Sequence, residues 1–231
     1  VLRFVTIPEG LPSREASALV AAAVGMKGIA DVPAEGSILP ETYTFTLDEN
    51  RAALVGRMRE SMKDTLAELW AKRAENLPVK TPEEAVVLAS IVEKETGLPE
   101  ERQRVAAVFV NRLNRGMRLQ SDPTVVYAIT KGERELGRAL RFKDLEVEDP
   151  YNTYYAAGLP PGPICNPGRA AIAAVLNPIE SKELYFVADG TGGHVFANTL
   201  VEHNRNVAKW RKIQKEQRRQ QRQQSQQQQP Q

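Results

Sequence analysis

The segment Leu88-Ala89-Ser90-Ile91-Val92-Glu93-Lys94-Glu95-Thr96-Gly97 sets two carboxylates two residues apart at the end of an apolar run. Residues two apart do not share a helix face. On a helix, Glu95 follows Leu88, Ile91 and Val92 at helical spacing and continues their apolar stripe. Glu93 follows Ala89 and Ser90 and is expected to face outward beside Lys94. A carboxylate on a core-facing stripe is costly unless it is neutral or paired. Desolvation and the negative end of the helix dipole both favour its protonated form. A Glu that keeps its proton near neutral pH is suited to general-acid chemistry. The alternative is a Glu that pairs with a buried Arg or caps a loop, and spacing alone does not separate the two.

Two further polar clusters could serve such an acid. Leu119-Gln120-Ser121-Asp122-Pro123-Thr124 gathers amide, hydroxyl and carboxylate groups at the start of a helix, where plain capping by Ser121 or Asp122 is the simpler reading. Tyr151-Asn152-Thr153-Tyr154 mixes aromatic faces with amide and hydroxyl groups, a combination that suits a sugar and equally suits a packed core. His194 and His203 lack metal-ligand spacing and Cys165 is the only cysteine, so no metal site and no disulfide are expected. The glycines of 190–193 sit in a hairpin turn without the Gly-Lys-Ser/Thr ending of a phosphate loop, and no dinucleotide fingerprint is present; no cofactor is expected.

These groups need positioning elements. Alternation at 2–7 and at Tyr43, Phe45 and Leu47 reads as two strands, with a helix from Ser13 to about Val24 between them. Asp48 to Asn76 is expected to form a long amphipathic helix through Leu54, Met58, Met62, Leu66 and Leu69. Thr81-Pro82-Glu83-Glu84 opens the helix that carries Glu95. Helices follow from Pro99 to Arg115 and from Thr124 to Thr130, then a Pro- and Gly-rich stretch, then a helix capped by Asn166-Pro167. The runs 184–188 and 194–196 form a hairpin, and Thr199 with Glu202 opens a terminal helix that is expected to dissolve near Gln217.

With 231 residues, 42% hydrophobic and 26% charged, the chain is globular in composition and holds no apolar run long enough to span a bilayer. From Lys209 onward there are seven basic residues and one acidic one, which leaves the rest of the chain net acidic. A mildly acidic body argues against nucleic-acid binding. The chain opens at Val1 without a signal-like segment, and the simplest expectation is a soluble piece of a longer protein whose anchor lies outside it.

Several ordered segments carry a resemblance: Leu88 to Thr96, Val108-Phe-Val-Asn-Arg-Leu113, Met117 to Thr124, Tyr151-Asn-Thr-Tyr154, Gly158-Leu-Pro-Pro-Gly162, Tyr185 to Gly190 and Gly192-Gly-His194. Together with Thr6 to Gly10 and Glu35 to Tyr43 they resemble the endolytic murein transglycosylase (YceG-like) family from about Val5 to Trp210. The resemblance implies an α+β chain with a mainly helical, lysozyme-like catalytic domain, a C-terminal β-hairpin and a small LysM-like N-terminal subdomain. The corresponding boundaries are 1–47, 48–215, and a disordered Gln/Arg-rich tail at 216–231.

It also implies a bacterial enzyme anchored in the inner membrane by a segment absent here, facing the periplasm. Such an enzyme cuts nascent peptidoglycan strands internally and leaves 1,6-anhydro-MurNAc ends, with cell-wall synthases as possible partners. Glu95 matches the family's catalytic Glu. Gln120, Ser121, Asp122, Tyr151, Asn152, Thr153 and Tyr154 are the candidates for substrate binding. The rival expectations are a noncatalytic glycan-binding module and a lysozyme-type hydrolase.

Overall fold

The computed structural model describes the backbone of residues 2–227 and the side chains of residues 2–220. The chain forms two compact units, Val1–Ile179 and Glu180–Gln231.

The first unit begins with β1 (Arg3–Thr6), which pairs antiparallel with β2 (Thr42–Phe45) in the register Arg3 opposite Phe45. Period-two alternation turns Val5, Tyr43 and Phe45 inward and leaves Phe4 and Thr44 outside. Between the strands lies one helix, α1 (Ser13–Ala22). The core beneath them joins Ile7, Val20 and Ile38 to Leu54, Val55 and Met58 of α2 (Arg51–Ala71). This shared core crosses position 47. Asn50, not Asp48, caps α2, its side chain accepting the Ala52 N–H at 2.8 Å. Asp48 instead takes a left-handed turn conformation at φ 66°.

Arg51 binds the open end of α1 to the start of α2. Its guanidinium donates to the carbonyls of Val20, Ala21, Ala23, Met26 and Gly28 at 3.0–3.1 Å. Helix C-termini leave carbonyls without intrahelical partners, and a forked cation satisfies several of them at once.

Four helices complete the unit: α3 (Pro82–Glu95), α4 (Arg102–Asn114), α5 (Asp122–Thr130) and α6 (Arg169–Leu176). The start of α3 follows the sequence pattern, with Pro82 in the first turn and Thr81 Oγ1 accepting the Glu84 N–H at 3.2 Å. From Ala85 to Val92 every residue of α3 is buried, because α2, α4, α5 and α6 pack around it. A helix enclosed on all sides is apolar all round.

Asn166 does not cap α6; Gly168 occupies that position. The Asn166 amide instead reaches the N-terminal segment, donating to the Leu11 carbonyl and to Ser13 Oγ at 3.0 Å. Its backbone adds Gly10 N–H to Asn166 O and Asn166 N–H to Leu11 O, both at 2.9 Å. An amide has two donors and an acceptor, and a bridge across segments uses more of them than a cap would.

The second unit is a β-hairpin and a helix. β3 (Tyr185–Ala188) pairs antiparallel with β4 (His194–Ala197), and the Asp189 carboxylate closes the turn by accepting the N–H groups of Thr191 and Gly193. Thr199 and Glu202 form the expected reciprocal cap of α7 (Leu200–Gln227), which packs on both strands. The helix does not end near Gln217: its Gln, Arg and Lys residues are good helix formers, and no Gly or Pro interrupts them before Pro230. Residues 228–231 of the expected tail lie outside the described residues. Mixed helices and small antiparallel sheets make the chain α+β. No helix among the described residues is long and apolar enough to cross a membrane.

Replacing Arg51 by Met should lower unfolding stability by about 2–4 kcal/mol, since five carbonyls lose a charged donor and part of them stays enclosed. Urea denaturation of the two proteins measures it; equal midpoints would show that Arg51 does not hold these elements together.

Candidate active site

Glu95 is the last residue of α3, and Thr96 turns the backbone into an extended conformation. The carboxylate is half-buried, at the point where α3 leaves its ring of helices. Its Oε1 accepts a hydrogen bond from Ser121 Oγ at 2.5 Å. Ser121 stands immediately before α5 and is itself buried, so a fixed hydroxyl meets the carboxylate.

That hydroxyl is fixed by a lattice of backbone and hydroxyl groups. Thr153 Oγ1 accepts the Ser121 N–H at 3.0 Å and pairs with Thr124 Oγ1 at 2.8 Å. Thr124 Oγ1 lies 2.6 Å from the Ser121 carbonyl and accepts the Thr153 N–H at 3.2 Å. The Gln120 N–H donates to the Thr153 carbonyl at 3.2 Å. Thr124 and Thr153 are both 0% exposed, and each finds its partners inside the protein. Buried polar groups that are fully paired hold their neighbours rigidly.

The same segments bring Asp122 and Tyr154 together. Tyr154 O–H donates to Asp122 Oδ1 at 2.7 Å. Burial, the Asp122 charge and the Glu95 charge push the Tyr154 phenol above its ordinary value, so it stays a donor at all working pH values. Arg112 of α4 counters that shift only in part. It is a buried cation whose Nη1 donates to the Leu119 carbonyl at 2.8 Å and the Arg118 carbonyl at 3.2 Å, and lies 3.5 Å from Gln120 Oε1. Gln120 is exposed and sits in the left-handed region at φ 51°, a conformation that non-glycine residues adopt at some cost and often keep at functional sites.

The residues chosen from sequence therefore divide. Ser121 touches Glu95, and Asp122 and Tyr154 form a pair whose phenol senses the Glu95 charge. Asn152 is 0% exposed: its Nδ2 donates to the carbonyls of Leu145 and Val147 and its Oδ1 accepts the Tyr154 N–H. Together Asn152 and Thr153 shape the loop that presents Tyr154. Tyr151 lies toward the other end of α5, with ring centroids 4.8 Å from Tyr127 and Lys131 Nζ 5.0 Å over its face. Tyr127 in turn points its O–H at Glu35 Oε2, 3.4 Å away. Arg112 was missed, because an Arg in an exposed-looking Asn-Arg-Leu triplet shows its burial only once α4 and the 117–120 loop are packed together.

Glu93 does not face outward. Its side chain is 6% exposed, Oε2 accepts the Gly168 N–H at 2.9 Å and Oε1 lies 3.9 Å from Arg102. The stripe argument fails here because α3 is enclosed on every side, so no face of it is reserved for solvent. Burial raises the Glu93 pKa, the Gly168 N–H opposes the rise, and Glu9 adds to it.

A cleft of 520 Å³ adjoins the site through Lys94 and Asp122. One face of α5 forms its floor with Pro123, Val126 and Tyr127, and Leu11, Pro12 and Ile164 line it from other segments. That volume is in the range of small-ligand sites.

Residues 2–209 match the YceG-like family, and the chain belongs to it. The endolytic murein transglycosylase of Bacillus subtilis (strain 168) is 37% identical over 185 residues, covering 80% of this chain and 50% of that protein. The endolytic murein transglycosylase of Streptococcus pneumoniae serotype 2 (strain D39) is 35% identical over 212 residues, covering 90% of this chain and 36% of that protein. The chain thus spans half or less of the length of these two relatives. A crystal structure of a putative yceG-like protein from Listeria monocytogenes superposes with a TM-score of 0.72 at 32% identity, covering 87% of this chain and 75% of that one.

The raised Glu93 pKa means that the native state keeps this proton to higher pH than the unfolded chain does. Glu93 therefore favours folding below the ordinary carboxylate range, and that contribution is lost as pH rises through its raised value. Glu93→Gln cannot ionise, so its stability should fall less than that of the parent between about pH 4 and pH 7. Denaturant midpoints at the two pH values read this out; parallel changes in both proteins would refute it.

Proposed function

We propose that this chain is the catalytic part of an endolytic peptidoglycan lytic transglycosylase, which cleaves the MurNAc–GlcNAc β-1,4 bond within glycan strands and leaves 1,6-anhydro-MurNAc ends. The single observation that carries the reading is the half-buried Glu95 at the end of α3, held by the buried Ser121 hydroxyl and flanked by a ligand-sized cleft. Family membership and the murein transglycosylases of B. subtilis and S. pneumoniae support the substrate class.

One acid suffices for this chemistry. Protonated Glu95 gives its proton to the oxygen leaving MurNAc C1. Positive charge grows on C1 and is relieved by the N-acetyl group of the same sugar. The Glu95 carboxylate then takes the proton of the MurNAc C6 hydroxyl as O6 bonds to C1. The broken C1–O bond is replaced by a C1–O6 bond, Glu95 is protonated again, and no water is consumed. The Ser121 hydrogen bond keeps the carboxylate aimed in both steps, and its donor character favours the anion formed in the first. Gln120, Asp122 and Tyr154 supply amide, carboxylate and phenol groups for the sugar hydroxyls and the N-acetyl group.

The N-terminal β1–α1–β2 unit is read as a reduced LysM-like module, with one helix between its strands, and the helices around α3 as a lysozyme-like core. Action on peptidoglycan would place the enzyme outside the bacterial cytoplasm. A hydrolase is the second reading, because Asp122 offers an exposed second carboxylate that could activate water.

Glu95→Gln should lose at least about 100-fold in cleavage rate on isolated glycan strands while keeping its fold. A glycan-binding module would be indifferent to the change. Mass spectrometry of the products should show ends lighter by one water than reducing sugars; reducing ends alone would replace this reading with the hydrolase. Ser121→Ala should lower kcat by about 10- to 100-fold with KM nearly unchanged, as expected for a group that aims the acid rather than binds substrate. A change confined to KM would assign Ser121 to substrate binding.

A further inference from the structure

The cleft beside Glu95 has a composition that the glycan alone does not explain. Sugar rings present hydroxyls and acetamides, yet this cleft combines an apolar wall of Leu11, Val126, Leu136 and Ile164 with charges of both signs. Lys94 and Arg134 supply the cations, Glu15, Asp122 and Glu135 the anions. Among the described residues no ion pair or side-chain hydrogen bond engages Glu15, Arg134 or Glu135. The Lys94 ammonium is held at the cleft by the Gly10 carbonyl at 3.2 Å. Unpaired charges of opposite sign around an apolar trough would suit a ligand that is itself apolar in part and zwitterionic.

We propose that this cleft binds the peptide stem of the MurNAc residue whose C1 is attacked. The inference rests on the glycan-cleaving reading above. MurNAc carries its stem on the lactyl group at O3, two ring carbons from C1. A stem must therefore leave the reacting sugar close to Glu95, and Lys94 and Asp122, the sequence neighbours of Glu95 and Ser121, line the cleft. The stem's groups match the cleft's in kind. An alanyl methyl comes first and fits the apolar wall. The γ-linked D-Glu follows with a free carboxylate, matched by Lys94 and Arg134. A dibasic third residue brings an ammonium group, matched by Glu15 and Glu135. Three extended residues span about 10 Å, the scale of such a cleft. Stem binding then positions the strand, so that cleavage of stem-bearing glycan is favoured over bare glycan.

The test uses Lys94→Ala/Arg134→Ala and the parent protein on two substrates: stem-bearing glycan strands, and the same strands stripped of stems by an amidase. The double variant should lose about tenfold in kcat/KM on stem-bearing strands, mainly through KM, and should match the parent on bare strands. An equal loss on both substrates, or no loss on either, overturns the proposal. A second measurement is independent of cleavage: titration of the tripeptide L-Ala–γ-D-Glu–L-Lys into Glu95→Gln, followed by NMR. Shifts at Val126, Leu136 and Ile164 that vanish when Lys94 and Arg134 are also replaced support the cleft; no shifts there overturn it. Should the parent cleave neither substrate, the enzymatic reading fails, and the titration still decides whether the cleft takes the stem.

Discussion

The site depends on the hydrogen bond from Ser121 to Glu95, and that bond depends on a pair of buried threonines. A half-buried carboxylate at a helix end has several rotamers within reach. The protein fixes one by placing a donor against Oε1. Ser121 cannot swing away, because its own N–H and carbonyl are engaged by Thr153 and Thr124, which also hold each other. Glu95 comes from α3 and the donor from the start of α5. The loop that holds the donor begins more than two dozen residues later, within the Pro- and Gly-rich stretch. What looks from the sequence like a row of substrate ligands is partly a clamp, since Asn152 and Thr153 are closed to any ligand.

Much of this was legible in the sequence where the chemistry is local. The Thr81 cap with Pro82, the Thr199–Glu202 box and the glycine-rich hairpin turn each rely on partners within four residues, and each stands where the pattern put it. The readings that failed rely on distant partners. Asn166 resembles a helix cap, yet its amide is claimed by Leu11 and Ser13. Glu93 resembles a solvent-facing residue, yet Gly168 and Arg102 enclose it. A sequence shows which groups need partners; only packing shows which partners arrive first.

The spacing that singles out Glu95 describes only part of its surroundings. Its position on an apolar stripe was the argument, but α3 has no stripe from Ala85 to Val92, because every face is covered. Glu95 differs from Glu93 by being the last residue of α3, where the backbone leaves the helix. Glu93 is held by the Gly168 N–H and lies near Arg102, whereas half-buried Glu95 meets the Ser121 hydroxyl. Position along the helix, more than helix face, separates the enclosed Glu93 from the half-buried Glu95. The cationic and Gln-rich end of α7 illustrates the converse limit: composition suggested disorder, while helix propensity carried the helix onward.

The Asn166 bridge has a consequence for how the molecule comes into being. Its hydrogen bonds join residues 128 to 155 positions apart. Leu11 and Pro12, one wall of the cleft, are anchored by it. A chain emerging during synthesis can pair β1 with β2 early, but it cannot seat this wall until the stretch around position 166 has emerged. Until then the nascent protein has α3 without this wall of the cleft, so the cleft is completed late, close to completion of the first unit.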